Sequence, residues 1–223
     1  MVLAALAVGL NHAVSIDSLL TAVWGDHPPE AALDTLQSTV SRLRSRLGHD
    51  VIESVDHAYR LVGEPDQVDV VKFERMMEKA TSLLSDDPPA AASLAKDALA
   101  LWRGTPFGDL GDAEFLEPEV WRLDALRLGA LEVRLEADVE CGRLTSAIAS
   151  LQAEIIDNPF RERLWYLLVL ALARDGRRVD AIRECQRLRT NLAEVGLEPS
   201  TDLRELEDMV VNESPMVRSH LRR

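Results

Sequence analysis

Residues 142–148 and 176–182 carry one signature twice. Gly142-Arg143 followed by Ala147-Ile148 returns as Gly176-Arg177 followed by Ala181-Ile182, an offset of 34, and Leu131 and Leu135 map onto Trp165 and Val169. A 34-residue period with glycine at a turn and alanine where helices touch predicts helix pairs that stack on their neighbours. One pair cannot bury both of its faces, so the pairs must pack as an array. The segment 116–141 supports this. Leu128, Leu131, Leu135 and Val139 form one apolar stripe, and Leu123, Leu126, Ala130, Val133 and Ala137 form a second. A helix that is apolar on two sides is packed on two sides.

From residue 68 onward the chain reads as successive helices, over 70–84, 90–102, 116–141, 144–158, 161–175, 179–195 and 200–211. Asp86-Asp87-Pro88-Pro89, Gly104-Thr105-Pro106-Phe107-Gly108, Asn158-Pro159 and Glu198-Pro199 punctuate them. A tetratricopeptide-like, all-α helical-repeat domain is expected over 67–212, with a tail at 213–223. Composition agrees: 47% of residues are hydrophobic but only 4% are aromatic, which suits helices rich in Ala, Leu and Arg. The fold class is therefore mainly α.

Residues 1–63 follow another grammar. A helix is expected over 2–10. Ser15 is a candidate N-cap for a second helix, whose apolar face is Ile16, Leu19, Leu20 and Val23. Gly25-Asp26-His27-Pro28-Pro29 stops that helix. A long helix then runs over 31–47, roughly 25 Å at 1.5 Å per residue. Leu33, Leu36, Val40, Leu43 and Leu47 give it one buried face, and Thr35, Gln37, Ser38, Ser41, Arg42, Arg44 and Ser45 lie opposite. Residues 51–55 and 59–62, around Asp56-His57-Ala58, read as a β-hairpin. Helix, turn, long helix and hairpin in that order make a winged helix-turn-helix. Short polar side chains with Gln and Arg on one face suit close approach to base edges in a major groove. The hairpin, through His57 and Arg60, would touch the DNA backbone or minor groove. Arg42 and Arg44 lie off the apolar face, so neither is expected to matter for folding.

The net charge of −13 is shared by both parts. Residues 1–62 hold 4 Arg against 7 acidic residues, and the remainder holds 21 basic against 31 acidic residues. Non-specific affinity grows with the number of phosphates neutralised, so one molecule should hold DNA weakly. Several copies or a second protein would supply the rest.

The motifs resemble a known family over almost the whole chain. Val14-Ser15-Ile16-Asp17-Ser18-Leu19, Val23-Trp24-Gly25, Thr35-Leu36-Gln37 and Val40-Ser41-Arg42-Leu43-Arg44 look like the OmpR-type winged helix of the actinomycete antibiotic-regulatory activators. Ala98-Leu99-x-Leu101-Trp102-Arg103-Gly104, Pro159-x-Arg161-Glu162-Arg163-Leu164-Trp165 and Glu194-Val195-Gly196-Leu197-Glu198-Pro199 resemble the bacterial transcriptional activation domain that follows it there. The resemblance implies double-stranded promoter DNA with direct repeats, read by two protomers side by side as a homodimer on the DNA. It also implies that the loop carrying Asp26, His27 and Glu30 faces RNA polymerase. The family's winged helix opens with a small antiparallel sheet ahead of its first helix, whereas this chain starts directly in that helix. A head without that sheet leaves Leu3, Leu6, Leu10 and Trp24 needing another cover.

Other chemistries find no support in the sequence. Gly104–Gly111 lacks the Gly-Lys-Ser/Thr that holds nucleotide phosphates. The five His, at 12, 27, 49, 57 and 220, do not fall at metal-ligand spacing with Cys or carboxylates. No catalytic residue, metal or cofactor is expected, and Cys141 and Cys185 read as small buried side chains within apolar helices. With no basic n-region ahead of the short apolar start and no long apolar span, the expectation is a cytoplasmic protein without membrane contact. Two function classes remain: a sequence-specific DNA-binding activator, or a helical-repeat adaptor whose head does not read DNA.

Overall fold

The structure is a computed structural model, and it describes residues 1–64 and 68–212. The tail 213–223 lies outside the described residues. The chain forms two compact units, one of Met1–Glu74 with Leu101–Arg127 and one of Arg75–Ala100 with Leu128–Arg223. The domain limits expected from sequence, 1–63 and 67–212, divide the chain differently: Leu101–Arg127, read as body, groups with the head.

In the first unit, helix α1 spans Val2–Val8, strand β1 Ala13–Ser15, helix α2 Ile16–Trp24, helix α3 Ala32–Leu47, and strands β2 and β3 Ile52–Val55 and Ala58–Leu61. The N-cap expectation at Ser15 holds, since its Oγ accepts from the Ser18 backbone N–H at 3.0 Å. Strand β1 was not expected. It pairs antiparallel with β3, Val14 opposite Tyr59, so the sheet has three strands in the order β1-β3-β2. Three residues are too few to show a periodicity, which is why the sequence hides this strand. Asn11 closes the same edge: its side chain exchanges two 3.1 Å hydrogen bonds with the Gly63 backbone.

The head has its own core of Val2, Ala5, Leu6, Leu19, Leu36, Val40, Ile52 and Tyr59. Leu36 and Val40 are buried as expected and Leu43 half-buried, but Leu33 and Leu47, at the two ends of α3, are exposed. Part of the cover expected for α1 comes from a later segment, while Leu3 stays 38% exposed and Leu10 half-buried. Phe115, on the short 3₁₀ turn Glu114–Leu116, packs against this core, and Leu6 is fully buried. Trp24 is drawn into the same cluster.

Helix α4 spans Asp69–Leu83, α5 Pro88–Leu99, α6 Glu117–Glu140, α7 Leu144–Asp157, α8 Glu162–Arg174, α9 Arg178–Glu194 and α10 Thr201–Val211. Within the second unit, α8 packs against α7, α9 and α10. The repeat is present down to single hydrogen bonds. Gly142 and Gly176 take φ of 74° and 78°. Arg143 N–H reaches Asp138 O at 2.9 Å and Arg177 N–H reaches Leu172 O at 2.9 Å. These are 6→1 bonds of the Schellman type, which a left-handed glycine permits at helix ends. Ala147 and Ala181 are buried to the same degree. Helix α6 is two-sided as read: Leu135 and Val139 join the large core of α7 to α10, while Ala137 packs with Ala91 and Ala92.

The motif at 159–165 ties these helices together. Arg161 grips the buried Glu132 through two bonds of 2.7 and 3.0 Å. Arg163 pairs with Glu136 one turn further along α6. The Glu162 carboxylate accepts from the Ser200 N–H at the start of α10. Trp165 is fully buried, with its indole N–H bonded to Pro159 O at 2.9 Å.

Candidate nucleic-acid interface

Helix α3 is amphipathic because its apolar residues recur at offsets of three and four, and burying Leu36 and Val40 turns the opposite side to solvent. Thr35, Gln37, Ser38, Ser41, Arg42, Ser45 and Arg46 are all exposed. Two of the hydroxyls are partly committed: Thr35 donates to Ala31 O at 2.8 Å and Ser45 to Ser41 O at 3.1 Å. Each oxygen keeps lone pairs for an incoming donor. Among the described residues Arg42 makes one hydrogen bond, of 3.2 Å to Thr39 Oγ1 on its own helix, so its guanidinium can swing outward.

Arg44 behaves otherwise. Its Nε donates to Ile52 O at 2.8 Å, a terminal nitrogen donates to Ser54 Oγ at 2.9 Å, and its guanidinium lies 5.8 Å from the centre of the Tyr59 ring. The expectation that Arg44 has no part in folding is therefore corrected: it pins the end of α3 to the wing. The physical reason is helical phase. Two residues beyond Arg42, its side chain leaves the helix some 200° further round, on the flank that β2 and β3 cover. Arg46, which the sequence reading passed over, projects from the last turn and is exposed. The R-x-R-x-R spacing was visible, but only the fold shows which arginine is taken by the wing.

In the wing, Asp56 adopts φ of 49° and His57 stands exposed at the hairpin tip. The His57 carbonyl accepts from Ile16 N–H at 3.0 Å, which fixes the tip to the start of α2. Arg60 pairs with Glu53 directly across the β2–β3 ladder. Of the four head arginines, Arg44 and Arg60 are thus held by protein groups, while Arg42 and Arg46 present exposed charge. Between α2 and α3, Asp26, His27 and Glu30 are all exposed on the loop that follows Gly25.

A winged helix with a polar, exposed second helix, joined to stacked helix pairs, is the build of a transcription regulator. The comparisons with known proteins agree. The family model of the bacterial transcriptional activator domain matches residues 68–211. The chain is 32% identical to the transcriptional regulatory protein EmbR of Mycobacterium tuberculosis, over 96% of this chain and 58% of EmbR. It is 31% identical to the regulatory protein DnrI of Streptomyces peucetius, over 94% of this chain and 82% of DnrI. With the transcriptional regulator RedD of Streptomyces coelicolor the figures are 32%, 96% and 64%. The solved structure of M. tuberculosis EmbR in complex with a low-affinity phosphopeptide superposes with a TM-score of 0.92 at 32% identity, covering 96% of this chain and 59% of that one. The chain belongs to the actinomycete antibiotic-regulatory family of transcriptional activators, with an OmpR-type winged helix and a bacterial transcriptional activator domain. It spans less than two thirds of the length of EmbR. Among the described residues, no helix is long and apolar enough to cross a membrane.

Proposed function

We propose that this chain is a sequence-specific DNA-binding transcriptional activator that reads promoter direct repeats. Its functional domains would be the winged helix at 1–63 and the activation domain at 67–212. The observation that carries the reading is the exposed polar face of α3. In this reading Thr35, Gln37, Ser38, Ser41, Arg42 and Ser45 face the major groove and His57 meets the backbone beside it. Arg44 acts chiefly by holding the wing against α3, Arg60 by pairing with Glu53 across the two strands of the wing, and Arg46 adds a phosphate contact. With so few exposed arginines the electrostatic share of affinity is small, which favours two protomers on adjacent repeats. The exposed loop with Asp26, His27 and Glu30 is the surface offered to RNA polymerase.

The test is an electrophoretic mobility shift with the protein and DNA from its own upstream region, followed by transcription with purified polymerase. Specific retardation that survives competitor DNA is expected, with Asp26→Ala/Glu30→Ala retaining DNA affinity but lowering transcript yield. If no specific complex forms on any upstream fragment, the head does not read DNA and the helical-repeat adaptor is the better account. Undiminished transcription by the double variant would move the activating surface onto the helical body.

A further inference from the structure

The first unit also holds an open cavity of about 460 Å³ that takes no part in the DNA-facing surface. Its inner wall is aromatic. Phe73, from α4 and 2% exposed, meets Trp102 edge to face at 5.6 Å, with the ring planes 82° apart. Leu123 from α6 and Phe107 extend the apolar lining. Helix α5 stops at Leu99, three residues short of the end expected from sequence, and this frees Trp102 to serve as wall instead of helix.

The loop that closes the cavity is built unusually. Gly104, Phe107 and Gly108 have φ of 149°, 59° and 55°. A bulky aromatic residue in the left-handed region is strained, and such strain persists where the surroundings over-determine it, often at ligand clamps. The Gly-rich stretch that cannot hold a nucleotide phosphate thus has another use, to turn the chain around an apolar hollow.

The polar groups lie at the rim. Arg103 and Asp69 line the cavity, and their side chains are 84% and 56% exposed. They approach only to 3.5 Å, a loose pair. Asp69 is otherwise engaged through Oδ1, which accepts from Val70 N–H at 2.9 Å. A solvated guanidinium so loosely held exchanges readily to a better anion, which it can grip with two parallel N–H donors. A volume of this size, with apolar walls and one charged anchor, suits a small organic ligand.

We propose that this cavity is a binding site for a small, flat aromatic molecule carrying one acidic group. Its rings lie against Trp102 and Phe107, which the buried Phe73 backs, and its anion rests on Arg103 in place of Asp69. The two rim residues then have opposite effects: Arg103 attracts the ligand, and Asp69 competes for Arg103 and repels the anion.

The probe is 8-anilinonaphthalene-1-sulfonate, titrated into the 223-residue chain and followed by its fluorescence, with calorimetry for stoichiometry. N-phenyl-1-naphthylamine, which lacks the sulfonate, is the uncharged comparison. One saturable site per chain is expected. Arg103→Gln should weaken the sulfonate roughly three- to tenfold, and Asp69→Asn, which keeps the acceptor at the start of α4, should tighten it roughly threefold. Binding of the uncharged probe should change in neither variant. Both side chains are more than half exposed, so a melting curve matching the parent checks that each variant is folded. Several weak sites per chain, or sulfonate affinity that ignores both substitutions, would overturn the proposal. So would equal responses from the two probes.

Discussion

Arg42 and Arg44 stand two residues apart in one helix and read alike in the sequence, yet the structure assigns them opposite consequences. Arg44→Ala removes a charge-assisted hydrogen bond to the Ile52 carbonyl, a more exposed one to Ser54, and a contact with the Tyr59 face at 5.8 Å. A hydrogen bond to a charged group contributes about 1.5–3 kcal/mol net. Arg44 is half-buried, so the lower part of that range applies. The exposed Ser54 bond adds little, and a cation–π contact near its distance limit adds about 0.5 kcal/mol. The expected loss is about 2 kcal/mol, which in a chain of this size lowers Tm by roughly 4–8 °C. Arg42→Ala gives up one weak contact on its own helix and should change stability by less than about 0.5 kcal/mol. On a promoter fragment it should instead lose about 1–3 kcal/mol of affinity if it reads a base. Differential scanning calorimetry and fluorescence anisotropy with labelled promoter DNA separate the two effects. An Arg44→Ala melting curve identical to wild type would refute the clamp. An Arg42→Ala variant that melts low would refute the assignment of Arg42 to the free face.

Two further outcomes are expected in the second unit. Arg161→Ala strands the carboxylate of Glu132, which is 8% exposed, and should cost about 2–4 kcal/mol in urea unfolding. Arg163→Ala, which breaks the more exposed pair with Glu136, should cost under about 1 kcal/mol. Equal losses would mean that burial does not separate the two pairs. Burial pushes the Cys185 thiol up to about 12 from its ordinary 9.0, with Glu207 adding a smaller push. Because the folded-state value is raised, the fold favours the protonated thiol. That preference is intact below about pH 9 and is lost as pH climbs from there towards 12. Cys141, expected to be buried, is only half-buried because it lies just past the end of α6, so in native protein at pH 8.5 a thiol reagent should label it and spare Cys185 until denaturant is added. Rapid native labelling of Cys185 would contradict its burial.

Much of this architecture is local in origin, and local causes can be read along a chain. The 34-residue spacing of Gly142 and Gly176 announced two identical helix-ending turns, because a left-handed residue after a helix is a property of a few consecutive backbone bonds. Ser15 as a cap, the breaker at Pro28-Pro29, and the phase of Leu36 and Val40 were legible for the same reason, whereas Pro88 and Pro89, read as a break, form the first turn of α5 behind the cap Asp87. The outward face of α3 followed from that phase, so most of the candidate interface is legible in the sequence.

Contacts between distant segments were not. Strand β1 exists because Val14 meets Tyr59, 45 residues later, and three residues carry no period of their own. Phe115 covers α1 across more than a hundred residues, and an isolated aromatic in a loop does not name its partner. Arg44 and Arg42 differ by the position of a hairpin that comes later in the chain. The cavity walled by Phe73 and Trp102 joins two helical segments through a strained loop. Side-chain period and turn chemistry act over a few residues, whereas burial and charge pairing depend on which surfaces meet once the chain has closed on itself.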